Sequence, residues 1–189
     1  MTQHRRWVLG GGLASGKSKV RELLTDAGVA TIDADAVGHE VLANEESVFE
    51  AVAGRWPSVI FDKGIDRRRL ATIVFNDPGE LEALESITHP HIFDRIRERV
   101  EQIEATVVVE VPVINHGLGE GWQRVVVDCR DEVRLERAIA RGLTEADSKA
   151  RMSRQPTRPE WLAVADLVVP NHGSVGDLAR EVAPLVSHL

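Results

Sequence analysis

The run Gly11-Gly12-Leu13-Ala14-Ser15-Gly16-Lys17-Ser18 has the form G-x-x-x-x-G-K-S and stands between a short apolar stretch and an amphipathic one. Trp7, Val8 and Leu9 read as a buried parallel strand, while Val20, Leu23, Leu24 and Ala27 recur at helical spacing. Strand, glycine-rich turn and helix in that order make a phosphate-binding loop. Gly11 and Gly16 allow backbone turns that a side chain would obstruct, so successive N–H groups face phosphate oxygens at the positive end of the helix. Lys17 then reaches the terminal phosphates, and the Ser18 hydroxyl is placed to ligate Mg²⁺. A chain built this way binds a nucleotide.

Length and charge narrow the class. At 189 residues the chain fits one globular unit with small substrate-binding insertions. No apolar stretch approaches the ~20 residues of a membrane span, so no membrane partner is expected. The first apolar run, Trp7 to Ala14, is cut short by glycines and Lys17 and makes a poor secretory signal, which leaves a cytoplasmic protein as the expectation. The net charge of -7 argues against a broad nucleic-acid surface. Anionic ligands must instead meet local basic groups. Cys129 is the single cysteine and reads as a small buried hydrophobe rather than a nucleophile. The seven histidines show no zinc-ligand spacing, so no structural metal is expected.

Strand candidates near Arg6 to Leu9, Val29 to Ile32, Thr106 to Val111, Arg124 to Asp128 and Leu167 to Val169 alternate with helical patterns. Such alternation predicts an α/β fold, a parallel sheet flanked by helices. Ligands of such sheets gather beyond the carboxyl ends of the strands, where the loop, Asp33, the segment Pro112 to Gly121 and the segment Pro170 to Gly173 emerge. Two stretches break the alternation. Residues 34–90 form a helical insertion too long for an ordinary crossover and suited to a second substrate, and the polar residues 142–159 suit a short mobile helical lid. Residues 1–33, 91–141 and 160–189 would then be the core of a single domain. Ile92, Ile96, Val100 and Ile103 mark a long amphipathic helix.

Several polar residues beyond the loop carry open alternatives. Asp33 and Asp35 follow the second strand, so at least one carboxylate faces the loop, as a base or a holder of Mg²⁺-bound water, or else caps the next helix. Glu110 ends the run Val107-Val108-Val109 either as an acidic group supporting Mg²⁺ or as a solvated strand end. Arg137 and Arg141 share a helical face and either address one phosphate under a closing lid or form an exposed basic stripe. His89, before Pro90 at an expected helix break, reads as a structural hydrogen-bonding group rather than an acid or base.

The loop, Ile32-Asp33-Ala34-Asp35, Lys63-Gly64-Ile65-Asp66-Arg67, Leu84-Glu85-Ser86-Ile87-Thr88-His89-Pro90, Arg151 to Gln155 and Ala165-Asp166 to Asn171 together resemble the dephospho-coenzyme A kinase family, in that family's order. The resemblance spans about Val8 to Asn171. It implies a nucleoside-monophosphate-kinase-like P-loop fold with a helical coenzyme-binding region and a lid. It also implies transfer of the ATP γ-phosphoryl group to the ribose 3'-hydroxyl of dephospho-coenzyme A, the last step of coenzyme A synthesis. On this resemblance Gly11, Gly12, Leu13, Ala14, Ser15, Gly16, Lys17, Ser18 and Lys19 would cradle ATP phosphates, with Mg²⁺ on Ser18. Asp33 would be the base, and Arg141 would stabilise the transferred charge, with Arg137 beside the nucleotide. Asp35, His89 and Pro112 would contact the acceptor, and Asn171 and Gly173 the adenine.

This chain departs from the family pattern at three places. Lys19 replaces a usual hydroxyl residue, the usual Pro-Leu-Leu-Phe-Glu becomes Pro112-Val113-Ile114-Asn115-His116, and Gln123 stands for a usual aspartate. These changes bear on acceptor binding and turnover more than on nucleotide binding. Two other readings stand beside the leading one: a P-loop kinase of another small-molecule alcohol, and a catalytically weakened paralogue that binds ATP or coenzyme A as a sensor. A monomer or weak homo-oligomer is expected.

Overall fold

The computed structural model describes residues 5–62, 64–114 and 117–189. In chain order the elements are β1 (Arg6–Gly10), α1 (Lys17–Asp26), β2 (Ala30–Asp33), α2 (Ala34–Asn44), α3 (Glu46–Arg55), a 3-10 turn (Pro57–Val59), β3 (Ile60–Phe61), β4 (Gly64–Ile65), α4 (Arg67–Val74) and α5 (Pro78–Glu101). There follow β5 (Val107–Glu110), β6 (Gln123–Asp128), α6 (Asp131–Ala140), α7 (Glu145–Ser153), α8 (Arg158–Ala163), β7 (Leu167–Pro170) and α9 (Val175–His188). The chain forms two compact units, one of residues up to Asp33 with Val100–Leu189, the other Ala34–Arg99.

The first unit is built on a five-stranded sheet in the order β2-β5-β1-β6-β7, and every pairing in it is parallel. Parallel strands buried on both faces need continuous apolar runs, and β1, β5 and β6 supply them with Trp7 to Leu9, Val107 to Val109 and Val125 to Val127, all nearly solvent-free. Because side chains alternate between faces, Trp7, Leu9, Val108, Val125, Val127 and Val169 lie on one side. Val20 and Leu24 of α1 and Leu178, Val182 and Leu185 of α9 pack against them. The helical spacing seen after the loop is therefore a sheet-facing stripe. β2 runs one residue further than its apolar run, to Asp33, because the ladder with β5 continues to the pair Asp33 and Glu110.

The second unit buries Val37 and Val41 of α2, Val48 and Val52 of α3, Leu70 and Val74 of α4 and Ile96 of α5, along with Trp56 and Val59. β3 and β4 pair as a two-stranded antiparallel hairpin that the sequence did not disclose. Asp66 caps α4 by accepting from the N–H groups of Arg68 and Arg69, both at 3.1 Å. The expected helix break at His89 and Pro90 is absent: α5 runs through both. Pro90 removes only the bond to the Ser86 carbonyl, and both residues are solvent-exposed, so water can take that acceptor. Among the described residues no helix is long and apolar enough to cross a membrane.

Leu24 is fully buried between α1 and the sheet. Leu24→Ala should lower unfolding stability by about 2–5 kcal/mol, read as a fall in the urea midpoint at unchanged slope.

Candidate active site

Parallel strands deliver their last residues to one edge, and here three of the five are carboxylates. β1 ends at Gly10 and passes into the glycine loop, β2 ends at Asp33, β5 at Glu110, β6 at Asp128, and β7 leads into Asn171. Order β2-β5-β1-β6-β7 also means that the chain leaves β1 in one direction and later returns to its other side, the kind of strand crossing that opens a crevice for ligands.

The glycine loop is gripped from outside. Gly16 has φ 104°, a left-handed conformation, and a β carbon there would meet Asn171 Nδ2 at 2.2 Å. That amide is buried and donates to the Ser15 carbonyl at 2.7 Å. At Gly12 a β carbon would lie 2.1 Å from Arg134 Nη2. Arg134 is only 4% exposed, donating from Nε to the Leu13 carbonyl at 2.9 Å and from Nη1 to Asp131 Oδ1 at 2.7 Å. Its Nη2 reaches Gln155 Oε1 at 3.2 Å, the same oxygen that accepts from the Leu13 N–H at 2.6 Å. Both backbone polar groups of Leu13 are thus held by side chains from elsewhere in the chain. Trp161 packs beneath, its ring 2.7 Å from where a β carbon of Gly10 would stand. Inside the loop, Lys17 Nζ donates to the carbonyls of Gly11 at 2.7 Å and Gly12 at 3.2 Å. A glycine-bounded backbone cradle with an ammonium inside it fits a phosphate group. Ala14 adopts φ 57° and Ser15 is buried, while Lys19 turns to Glu22 at 2.8 Å on the surface of α1.

Beside the loop stands an acidic pair. Ser18 Oγ donates to Glu110 Oε1 at 2.9 Å. Arg21 Nε donates to Glu110 Oε2 at 2.7 Å, and its Nη2 lies 3.1 Å from Asp33 Oδ2. Glu110 is 9% exposed, which overturns the solvated strand-end alternative. A hydroxyl and a carboxylate meeting at the start of α1 are oxygen donors of the kind Mg²⁺ accepts when phosphates and waters complete its octahedron.

Arg137 and Arg141 have different surroundings. Arg137 is turned to the loop after β7, donating to the Asn171 carbonyl at 3.2 Å, Asn171 Oδ1 at 3.3 Å and the Gly173 carbonyl at 2.8 Å. Arg141 terminates α6 with an exposed side chain that forms no ion pair among the described residues. Pro112 is exposed just past β5, and the Ile114 carbonyl two residues on accepts from Arg124 Nη2 at 2.6 Å. Asn115, His116 and Lys63 lie outside the described residues. In the second unit Asp35 sits in the first turn of α2, where a negative charge meets the helix's positive end, and His89 lies tilted 5.3 Å from Phe93 within α5.

Sequence reasoning missed Asp128, Arg158, Arg134, Arg21 and Trp161. Asp128 ends a strand as Glu110 does, and Arg21 follows Ser18 by three residues, so both were within reach of the spacing argument; the contacts of Arg134 and Trp161 leave no local signal. Asp128 receives Arg158 through both oxygens, at 2.6 and 2.8 Å, with His172 Nε2 at 3.4 Å. The Arg158 bonds hold the Asp128 carboxyl below its ordinary value near 3.8. Burial pushes the Cys129 thiol up, so it stays protonated and inert, in line with its reading as a small buried hydrophobe.

Because the folded pKa of Asp128 is depressed, its contribution to stability is present above pH 3.8 and is lost as pH falls through the folded value. The stability gap between wild type and Asp128→Asn, measured by urea unfolding, should be widest near pH 7 and close on acidification below pH 3.8. Gly12→Ala should dislodge Arg134 and cost about 1–3 kcal/mol, with a matching loss of nucleotide affinity by calorimetry.

The profile described as "Dephospho-CoA kinase" matches residues 7–177. A dephospho-CoA kinase of Streptomyces avermitilis is 37% identical over 188 residues, covering 96% of this chain and 92% of that one. Among solved structures, TT1252 from Thermus thermophilus superposes with TM-score 0.83 at 32% identity, covering 99% of both chains. The dephospho-CoA kinase from Campylobacter jejuni superposes with TM-score 0.73 at 26% identity, covering 98% of this chain and 97% of its own.

Proposed function

Because the chain belongs to the dephospho-CoA kinase family and carries out that family's step, the last of coenzyme A biosynthesis, we propose that the carboxyl edge of its sheet aligns Mg-ATP with the ribose 3'-hydroxyl of dephospho-coenzyme A. The observation that carries this assignment of roles is the grouping at one sheet edge of the Lys17 loop, Ser18, Glu110 and Asp33.

Phosphoryl transfer demands little covalent chemistry from a protein and much alignment and charge neutralisation. Gly11 to Ser18 cradle the ATP phosphates, with Lys17 exchanging its loop carbonyls for phosphate oxygens. Mg²⁺, when bound, neutralises phosphate charge; Ser18 and, through water, Glu110 are the groups that would hold it. Asp33 accepts the proton of the acceptor hydroxyl. Arg141, exposed at the end of α6, supplies positive charge to the transferred group when the segment 142–159 closes as a lid over the site. Asn171 and Gly173, pinned by Arg137, form the wall for adenine. On the family resemblance Pro112 contacts the acceptor, and so do Asp35 and His89. The cytoplasm is the proposed compartment, as expected of coenzyme synthesis.

The test is ADP release by purified protein with Mg-ATP, with and without dephospho-coenzyme A, and a mass increase of one phosphate on the acceptor. Lys17→Ala should cut turnover roughly 10²- to 10³-fold by removing a preorganised cation. Asp33→Asn should spare ATP affinity and lower kcat by roughly 10²- to 10⁴-fold. ATP binding without acceptor-dependent turnover would move the reading to a sensor.

A further inference from the structure

Asp33 and Glu110 are register partners on adjacent parallel strands, which places their backbones about 4.8 Å apart at the sheet edge. Two carboxylates so close repel, and each would swing to water if nothing lay between them. Arg21 lies between them. It projects from α1 one turn beyond Ser18, is about three-quarters buried, and spends two separate nitrogens on the pair: Nε on Glu110 Oε2 at 2.7 Å and Nη2 on Asp33 Oδ2 at 3.1 Å. A guanidinium is planar, keeps its charge throughout the working pH range and offers fixed directions, so it restrains both carboxylates without ever competing as a proton acceptor. The helix that begins at the phosphate loop therefore also aims the group opposite it.

We propose that Arg21 is a positioning residue for phosphoryl transfer: it fixes the direction of the Asp33 carboxylate toward the acceptor hydroxyl, while Glu110 keeps its own bond from Ser18. The inference rests on the reading of Asp33 as the base. Arg21 acts through Asp33 and not on the nucleotide, so its loss changes the rate of the chemical step and leaves ATP binding alone. Lysine is a poor substitute, because one ammonium cannot hold two carboxylates in fixed directions.

The experiment compares Arg21→Met, Arg21→Lys, Asp33→Asn and the Arg21→Met/Asp33→Asn double variant with wild type. It measures steady-state turnover, ATP affinity by calorimetry and melting temperature. Arg21→Met should lower kcat roughly 10- to 100-fold while ATP affinity stays within about twofold, with Arg21→Lys between it and wild type. The double variant should be no slower than Asp33→Asn by more than about twofold, since a residue acting through Asp33 has nothing left to act on. Losses that multiply in the double variant would overturn the proposal, as would wild-type turnover in Arg21→Met whatever its melting temperature. Wild-type turnover in Asp33→Asn alone would overturn the reading of Asp33 as base, a separate failure identified without any Arg21 variant.

Discussion

A backbone segment that turns its N–H groups toward a ligand cannot use them to hold itself in shape, so its form must be imposed from outside. Arg134 and Gln155 impose it here by taking both polar groups of Leu13, and Asn171 does so through the Ser15 carbonyl. Each of these contacts needs close approach, which is why Gly12 and Gly16 are glycines for reasons of space as well as conformation. The grip joins four distant stretches of chain. Residues 11–16, the start of α6, the segment just after α7 and the turn after β7 are tied into one polar structure beyond the sheet.

Charge is arranged with similar economy. A chain with net charge -7 nonetheless gathers several cations near the strand ends and keeps them occupied. Lys17 rests on loop carbonyls, Arg21 on two carboxylates, Arg137 on the turn 171–173 and Arg158 on Asp128. Arginine dominates because a planar fork can hold two partners at once, as Arg21, Arg134 and Arg137 each do.

The parts of this fold written in local pattern were legible in the sequence: β1, the loop and α1 follow from spacing alone, as do the valine runs of β5 and β6. Asp33 was placed just beyond β2 and is its last residue, because the length of a ladder is settled by the partner strand and not by where the apolar run stops. Pro90 was taken for a helix break, yet an exposed proline in a long helix with buried Thr88 and Ile96 costs one bond that water can replace. Arg137 and Arg141 share a face by spacing, but long side chains choose partners by tertiary contact, and Arg137 chose the turn after β7. Glu110 had two readings that only its burial and its bond to Ser18 could separate.

The ring of Trp161 beneath Gly10 has an optical consequence. The chain contains no tyrosine and four tryptophans, so its near-ultraviolet emission is indole emission alone. Trp161 and Trp7 are buried in the unit that carries the phosphate loop, and Trp56 in the other. An indole wedged against the residue that leads into the loop senses small displacements of that backbone through its packing, and the molecule therefore carries its own spectroscopic probe of loop occupancy, with no label to attach.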